Sequence, residues 1–192
     1  MGKDSTTNIL FGIGTIGALI LLIANAFVLY SLLFALPSVA IMGWIVVLGS
    51  ILVILGLTGL YRQTENKSLL IAIILYLILQ ILIILIQFDI LFPLLVPIMG
   101  FDTANRMLNW IFWIFYLLIY LIFGYNAWTT RDDIGIIASI TGILLMAWSV
   151  LNLVFQFIEY GVPPSIWSQI WAAGLVIVWL FIFIYFIKAF RD

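Results

Sequence analysis

Hydrophobic residues run along this chain in six long stretches, which short polar or proline-containing segments separate. A stretch of about 20 apolar residues, folded as an α-helix, crosses roughly 30 Å of hydrocarbon. The pattern therefore predicts an all-α fold, an integral membrane bundle of six transmembrane helices in one domain that covers residues 1–192. The expected spans lie near residues 9–33, 39–61, 68–88, 105–128, 134–158 and 165–188.

Composition agrees with a lipid environment. The chain is 67% hydrophobic and 8% charged, whereas a soluble domain is about half apolar and a quarter charged. Membrane lipids are therefore the first expected partners. A net charge of −1 gives no long-range attraction to a polyanion, so no nucleic-acid partner is expected.

The distribution of lysine and arginine predicts the orientation. Arg106 stands alone on one side of the predicted spans, and the other six basic residues fall on the opposite side. Those six are Lys3, Arg62, Lys67, Arg131, Lys188 and Arg191. Because cytoplasmic loops carry the excess of basic residues, this asymmetry predicts that both termini are cytoplasmic. The expected location is a prokaryotic cytoplasmic membrane.

A pattern of three helical hairpins runs through the predicted spans. Each hairpin has a proline at its outer turn and an arginine at its inner end: Pro37 with Arg62, Pro93 with Arg131, and Pro163 with Arg191. Loops favour proline and cytoplasmic ends favour arginine in any case. True repetition and chance agreement both stay open.

The residue types that the chain lacks bear on its chemistry. Without cysteine or histidine it has no thiol chemistry, no haem-ligating histidine and no typical zinc or copper site. No ionisable residue falls near the middle of a predicted span, where a proton relay or voltage sensor would need one. We therefore expect no catalytic residue, no metal and no cofactor. An enzyme that uses Asp89, Asp102 and Glu159 on lipids is disfavoured, because it would lack an evident nucleophile.

Two polar stripes are the candidate binding feature. In the fifth span Ser149, Asn152, Gln156 and Glu159 share one helix face, and in the third span Gln80 and Gln87 do so. Functionally, the stripes would line a polar cavity formed by Gln80, Gln87, Asp89, Asn152, Gln156 and Glu159, with Asp89 and Glu159 at its mouth. Structurally, they would form interhelical hydrogen bonds of about 0.6 kcal/mol each. Both interpretations stay open.

Aromatic side chains also occur deep within two spans. Tyr116, Tyr120 and Trp179 are too far from the span ends to belong to an interfacial aromatic belt. They are expected either to pack against neighbouring helices or to flank a flat hydrophobic ligand such as a quinone or a lipid tail.

Small residues predict which helices pack closely. The first span carries Gly14 and Gly17, with Asn25 expected to bond across to a neighbour, and the second and fifth spans have similar small faces. These three spans are expected to be central. The long connection from Asp89 to Ala104 is apolar, so it is expected at the outer interface or against the bundle. Asp102 or Thr103 is a candidate cap for the fourth span.

Two functions from different classes fit this chain. The first is a non-catalytic membrane subunit or scaffold that packs against other membrane proteins or a second copy of itself, motivated by the absence of a central titratable group. The second is a small channel or carrier for a neutral or weakly cationic solute, motivated by the two polar stripes.

Overall fold

The computed structural model describes residues 5–34, 41–158 and 164–191, with their side chains except at 155–158 and 164–165. Across these ranges the chain forms eight helices and no strand. In chain order they are α1 (Ser5–Leu33), α2 (Ile41–Thr64), α3 (Lys67–Gln87), α4 (Leu91–Met99), α5 (Phe101–Thr129), α6 (Arg131–Ile134), α7 (Ile136–Ile158) and α8 (Pro164–Arg191).

Six of these helices are long and apolar enough to cross a membrane, which confirms the prediction of six membrane-length helices. The shortest of the six, α3, has 21 residues and is therefore about 32 Å long. The ends of the six helices differ from the expected spans by at most four residues. The remaining two helices, α4 and α6, have nine and four residues and lie in connections.

The six long helices form a ring. Each packs against two neighbours, in the order α1, α2, α3, α5, α7, α8 and back to α1. The sequence had suggested that the first, second and fifth spans are central. In the described part of the chain no long helix occupies the middle of the ring, because the small faces of these spans pack against immediate neighbours in the ring.

Glycine sets the closest helix contacts. A Cβ atom built on Gly14 would lie 2.7 Å from the Cα of Gly56, so only glycine allows α1 and α2 to approach this closely. On the other side of the ring, a Cβ on Gly142 of α7 would lie 2.6 Å from the carbonyl oxygen of Gly124 of α5. Glycines therefore bring two pairs of backbones into contact.

The bundle has two chemically different ends. At the first, α1 begins and α8 ends, and Phe11 packs against Phe186 with ring centroids 6.3 Å apart. We call it the basic end, because it carries five of the described basic residues: Arg62, Lys67, Arg131, Lys188 and Arg191. The opposite end carries Asp89, Asp102 and Arg106, and we call it the acidic end.

The connection between α3 and α5 lies at the acidic end. It forms α4, a helix with no buried residue, and Phe92 of α4 stacks on Phe101 with ring centroids 5.5 Å apart. The segment therefore lies on the outside of the bundle rather than within it. The expected cap at Asp102 or Thr103 is wrong, because α5 begins earlier, at Phe101, and its N-cap is Gly100 at a φ of 80°.

Candidate functional site

A cavity of about 330 Å³ lies inside the ring, in the half of the bundle away from the basic end. All six long helices contribute to its wall. Seven of the fourteen side chains that line it are aromatic. We call it the central cavity, and we call the two halves of the bundle the cavity half and the basic half.

Three aromatic side chains form the floor of the central cavity. Tyr76, Tyr120 and Trp179 line it and are 5 to 6% exposed. Tyr76 and Tyr120 are nine residues from the basic ends of their helices, and Trp179 is twelve from the end of α8. At 1.5 Å per residue these positions are roughly 14 to 18 Å from that end, near the midplane of a hydrocarbon core of about 30 Å.

Beneath the floor, the basic half is filled by packed aromatic rings. Phe186 lies 6.1 Å from Phe123 and 5.7 Å from Tyr185 between ring centroids, and Phe11 closes the group from α1. None of these four side chains is more than 2% exposed. The central cavity therefore ends near the midplane and does not continue towards the basic end.

Several polar groups in the wall are paired with each other or with the backbone. The hydroxyl of Tyr76 donates to Oγ of Ser50 at 3.3 Å. The indole N–H of Trp171 donates to Oδ1 of Asn152 at 3.0 Å. Asn25 was expected to bond across to another helix, but its amide donates to the carbonyl of Leu21 in its own helix at 2.7 Å. These polar groups therefore use at least part of their hydrogen-bonding capacity within the bundle.

Other polar groups in the wall have no partner within the described chain. Tyr116 and Tyr120 stack with ring centroids 5.9 Å apart, and neither hydroxyl forms a hydrogen bond there. The indole N–H groups of Trp113 and Trp179 are likewise without an acceptor among the described residues. Each of these four polar atoms keeps some accessible surface, since none is among the fully buried side-chain atoms without a partner.

The central cavity carries no formal charge on its described wall. None of the fourteen lining side chains is Asp, Glu, Lys or Arg. Moving an ion into such a site would cost several kcal/mol or more, because no opposite formal charge in the described wall compensates its lost hydration. Among the described residues no group of three His, Cys, Asp or Glu side chains is placed to hold a metal ion. The arrangement suits an uncharged molecule.

The structure distributes the six residues of the predicted polar cavity differently. Asn152 lines the central cavity. Gln80 is 3% exposed, does not line that cavity, and its Oε1 has no hydrogen-bond partner among the described residues. Gln87 and Asp89 are exposed at the acidic end, where Gln87 lies against Gly43.

The side chain of Gln156, and the whole of Glu159, lie outside the described residues. A single polar cavity formed by all six residues therefore stays a prediction. In the ring α5 stands between α3 and α7, so the two polar stripes belong to helices that are not neighbours.

The cavity also contains residues that the sequence interpretation did not assign to a site. Ser50 and Tyr76 are the clearest case, since their hydroxyl pair joins α2 to α3 in the wall. The sequence does contain a signal for this pair, because Ser50 and Tyr76 are each a polar residue in an otherwise apolar stretch of a helix. By contrast, Tyr116, Tyr120 and Trp179 had been singled out for their depth, and all three line the cavity.

Comparisons with protein-family models, with curated proteins and with solved structures found no match for this chain.

Proposed function

We propose that this protein is a membrane carrier that binds a small uncharged molecule within its six-helix bundle. The observation that carries the proposal is the central cavity of about 330 Å³, an uncharged and largely aromatic chamber with a wall drawn from all six long helices. Ligand sites are usually concave and mostly apolar, with a few polar groups that fix orientation, and this chamber has that character.

A carrier fits the geometry better than an open channel. A channel needs a continuous path, whereas the rings of Phe11, Phe123 and Phe186 fill the bundle below the floor. A site near the midplane that is closed on one side is the arrangement expected of alternating access. A neutral solute is favoured over a cationic one, because no carboxylate lines the described wall.

We propose that the basic end faces the cytoplasm, so that both termini are cytoplasmic and the central cavity lies in the outer leaflet. The support is the positive-inside rule, since five of the six described basic residues lie at the basic end. A prokaryotic cytoplasmic membrane is the proposed location.

Cysteine labelling tests this orientation, and the native chain has no cysteine to give a background. With an impermeant thiol reagent on intact cells, Thr103→Cys should be labelled and Thr64→Cys should react only after lysis. Labelling of Thr64→Cys alone in intact cells would show that the bundle is inverted.

Transport into vesicles tests the carrier. Proteoliposomes should take up at least one member of a panel of radiolabelled neutral one-ring and two-ring solutes, beginning with nicotinamide, and uptake should saturate. Leu175→Phe fills part of the cavity and should abolish that uptake, because Leu175 lines the chamber. Leu180→Phe makes the same change on the same helix at a residue that is 40% exposed on the outside, and it should have no effect. Absence of saturable uptake across the whole panel would overturn the carrier.

A membrane subunit or scaffold, with lipids and other membrane chains as its partners, is the second candidate. The observation in its favour is α4, an apolar helix with no buried residue, in which Leu94 is 61% and Ile98 is 78% exposed. Such a surface is suited to lipid or to another chain. It ranks second because the glycine faces that might have held a partner are used within the chain, as at Gly14 and Gly56. Mass measurement after extraction in mild detergent tests it, since a lone monomer from native membranes would contradict a subunit role.

A further inference from the structure

We infer that the solute of the central cavity is a planar ring compound that accepts hydrogen bonds, such as a ring carbonyl compound of the quinone class. This inference rests on the proposed carrier function and narrows its substrate. It follows from the size of the chamber, the shape of its walls and the excess of unpaired hydrogen-bond donors.

The size of the chamber sets the number of rings. A cavity of about 150 Å³ lined by apolar side chains holds one benzene ring. The central cavity, at about 330 Å³, is roughly twice as large. A two-ring molecule therefore fits, whereas a bulky multi-ring lipid would not.

The walls favour a flat molecule over a flexible chain. Half of the lining side chains are aromatic, and Tyr116 and Tyr120 stand with their rings only 18° from parallel. Flat aromatic faces gain most from a planar ring stacked or set edge-on against them. An alkyl chain would fill the space but would not use these faces.

The unpaired polar groups favour a ligand that accepts hydrogen bonds. An indole nitrogen can only donate, and the N–H groups of Trp113 and Trp179 have no acceptor among the described residues, so both favour a ligand that supplies one. The hydroxyls of Tyr116 and Tyr120, unpaired in the described part of the chain, add two further donors. The carboxamide oxygen of Asn152 is already occupied by Trp171, which leaves its N–H groups available to donate.

Carbonyl oxygens on a neutral ring can accept hydrogen bonds from these donors, and they bring no charge into the membrane. Tyr120 is the sharpest probe of this match, because it is 6% exposed, forms part of the floor, and has no hydroxyl partner in the described chain. A lipid tail, the other occupant of suitable polarity for an uncharged cavity, would leave every one of these donors unpaired.

Two probes with the same ring system test whether the cavity selects hydrogen-bond acceptors or shape alone. The full chain in lipid nanodiscs is titrated with radiolabelled 1,4-naphthoquinone and, separately, with naphthalene, which has the same two rings without the carbonyl groups. Protein-free nanodiscs correct for partition into lipid. The chain contains no cysteine, the residue that a quinone alkylates fastest. Release of the label on dilution distinguishes reversible binding from slower addition to lysine.

Naphthoquinone should bind roughly three- to tenfold more tightly than naphthalene from the lipid phase, the range expected for hydrogen bonds inside a membrane protein. Tyr120→Phe should remove a similar factor for naphthoquinone and leave naphthalene unchanged. Tyr116→Phe should act in the same direction. Tyr125→Phe is the matched control on the same helix, because Tyr125 is 50% exposed on the outside, and it should change neither affinity.

Each alternative result has a definite meaning. Equal affinities for the two probes, or a Tyr120→Phe protein that loses both equally, would show that the cavity selects shape alone and would overturn the inference while leaving the carrier standing. Saturable uptake of solutes that lack acceptor groups would also overturn the inference and leave the carrier standing. Failure of the transport panel would remove the carrier itself, so the two failures are distinguishable.

Discussion

The two halves of this bundle use the same kinds of residue in opposite ways. In the basic half, aromatic rings fill the space between helices, and Phe186 is fully buried among Phe11, Phe123 and Tyr185. In the cavity half, the aromatic residues stand around an unfilled chamber of about 330 Å³. Aromatic content alone therefore does not distinguish a packed core from the wall of a cavity.

One pair of positions shows a contrast in hydrogen bonding, although the basic half also holds buried side-chain oxygens without a partner among the described residues, on Asn8, Gln63 and Asn126. In the basic half the hydroxyl of Tyr185 lies 3.1 Å from Oγ1 of Thr130, which itself donates to the carbonyl of Ala127, so the tyrosine donates to the threonine. In the cavity half the hydroxyls of Tyr116 and Tyr120 have no such partner in the described chain. Under the proposed function, the unpaired hydroxyls at the cavity wall would be available to a ligand.

The largest expected effect comes from breaking the glycine contact in the basic half. Gly14→Ala puts a methyl group 2.7 Å from the backbone of Gly56, and a backbone cannot move aside as a side-chain tip can. We expect a loss of about 1 to 3 kcal/mol in the free energy of unfolding, measured by denaturation in mixed micelles.

The matched control for this change is Gly12→Ala, two residues away on the same helix. Its new methyl group would meet only the ring of Phe190 at 3.4 Å, an ordinary contact with a half-exposed side chain. It should stay within about 0.5 kcal/mol of the native protein. Helix propensity cannot explain a loss at either position, because alanine is the better helix former. Equal losses at Gly12 and Gly14 would therefore contradict close approach of α1 and α2 as the cause.

A second prediction compares the same substitution, leucine to the larger phenylalanine, in the two halves of the bundle. Leu57 is fully buried in the basic half, and Leu57→Phe should lower stability by about 1 to 3 kcal/mol through overpacking. Leu175→Phe projects into the central cavity and should cost less than about 0.5 kcal/mol, because the space is already present. Thermal midpoints in one detergent provide the comparison. A destabilised Leu175→Phe protein would indicate that the cavity half is as tightly packed as the basic half.

The smallest expected effect comes from removing one hydroxyl in each half. Tyr185→Phe deletes the donor to Thr130 and should cost about 0.6 kcal/mol, with an upper value near 1.7. Tyr120→Phe removes a hydroxyl that has no partner in the described chain, so its stability without ligand should be unchanged or slightly raised. Both are read from the same denaturation curves. A larger loss at Tyr120 than at Tyr185 would contradict the assignment of paired and unpaired groups.

Much of this fold follows from the pattern of apolar residues. The length of each apolar stretch predicts a membrane-crossing helix, and the helix from Lys67 to Gln87 falls within one residue of its expected limits. Asn66 explains one of these boundaries, because its side chain accepts a hydrogen bond from the backbone N–H of Ser68 at 3.1 Å. Local signals of this kind can be read directly from sequence.

The arrangement of the helices could not be predicted in the same way. Gly142 belonged to a recognisable small-residue face, but its partner Gly124 is one glycine in an aromatic-rich span, and only the packed structure pairs them. The central cavity could likewise be predicted only in part, because it depends on how the helices are arranged. The sequence alone places Tyr120 and Trp179 deep in their spans, and both line the cavity. The hydrogen bond between Ser50 and Tyr76 could not be predicted, because it depends on which helices are neighbours.

The most direct test of the central claim is the number of naphthalene molecules that each chain binds in nanodiscs at saturation. We expect one saturable site per chain in the native protein and in Leu180→Phe, because the central cavity is intact in both and Leu180 lies on the outside of the bundle. We expect none in Leu175→Phe. Saturable binding that survives Leu175→Phe unchanged, or its complete absence from the native protein, would contradict a ligand cavity inside the bundle.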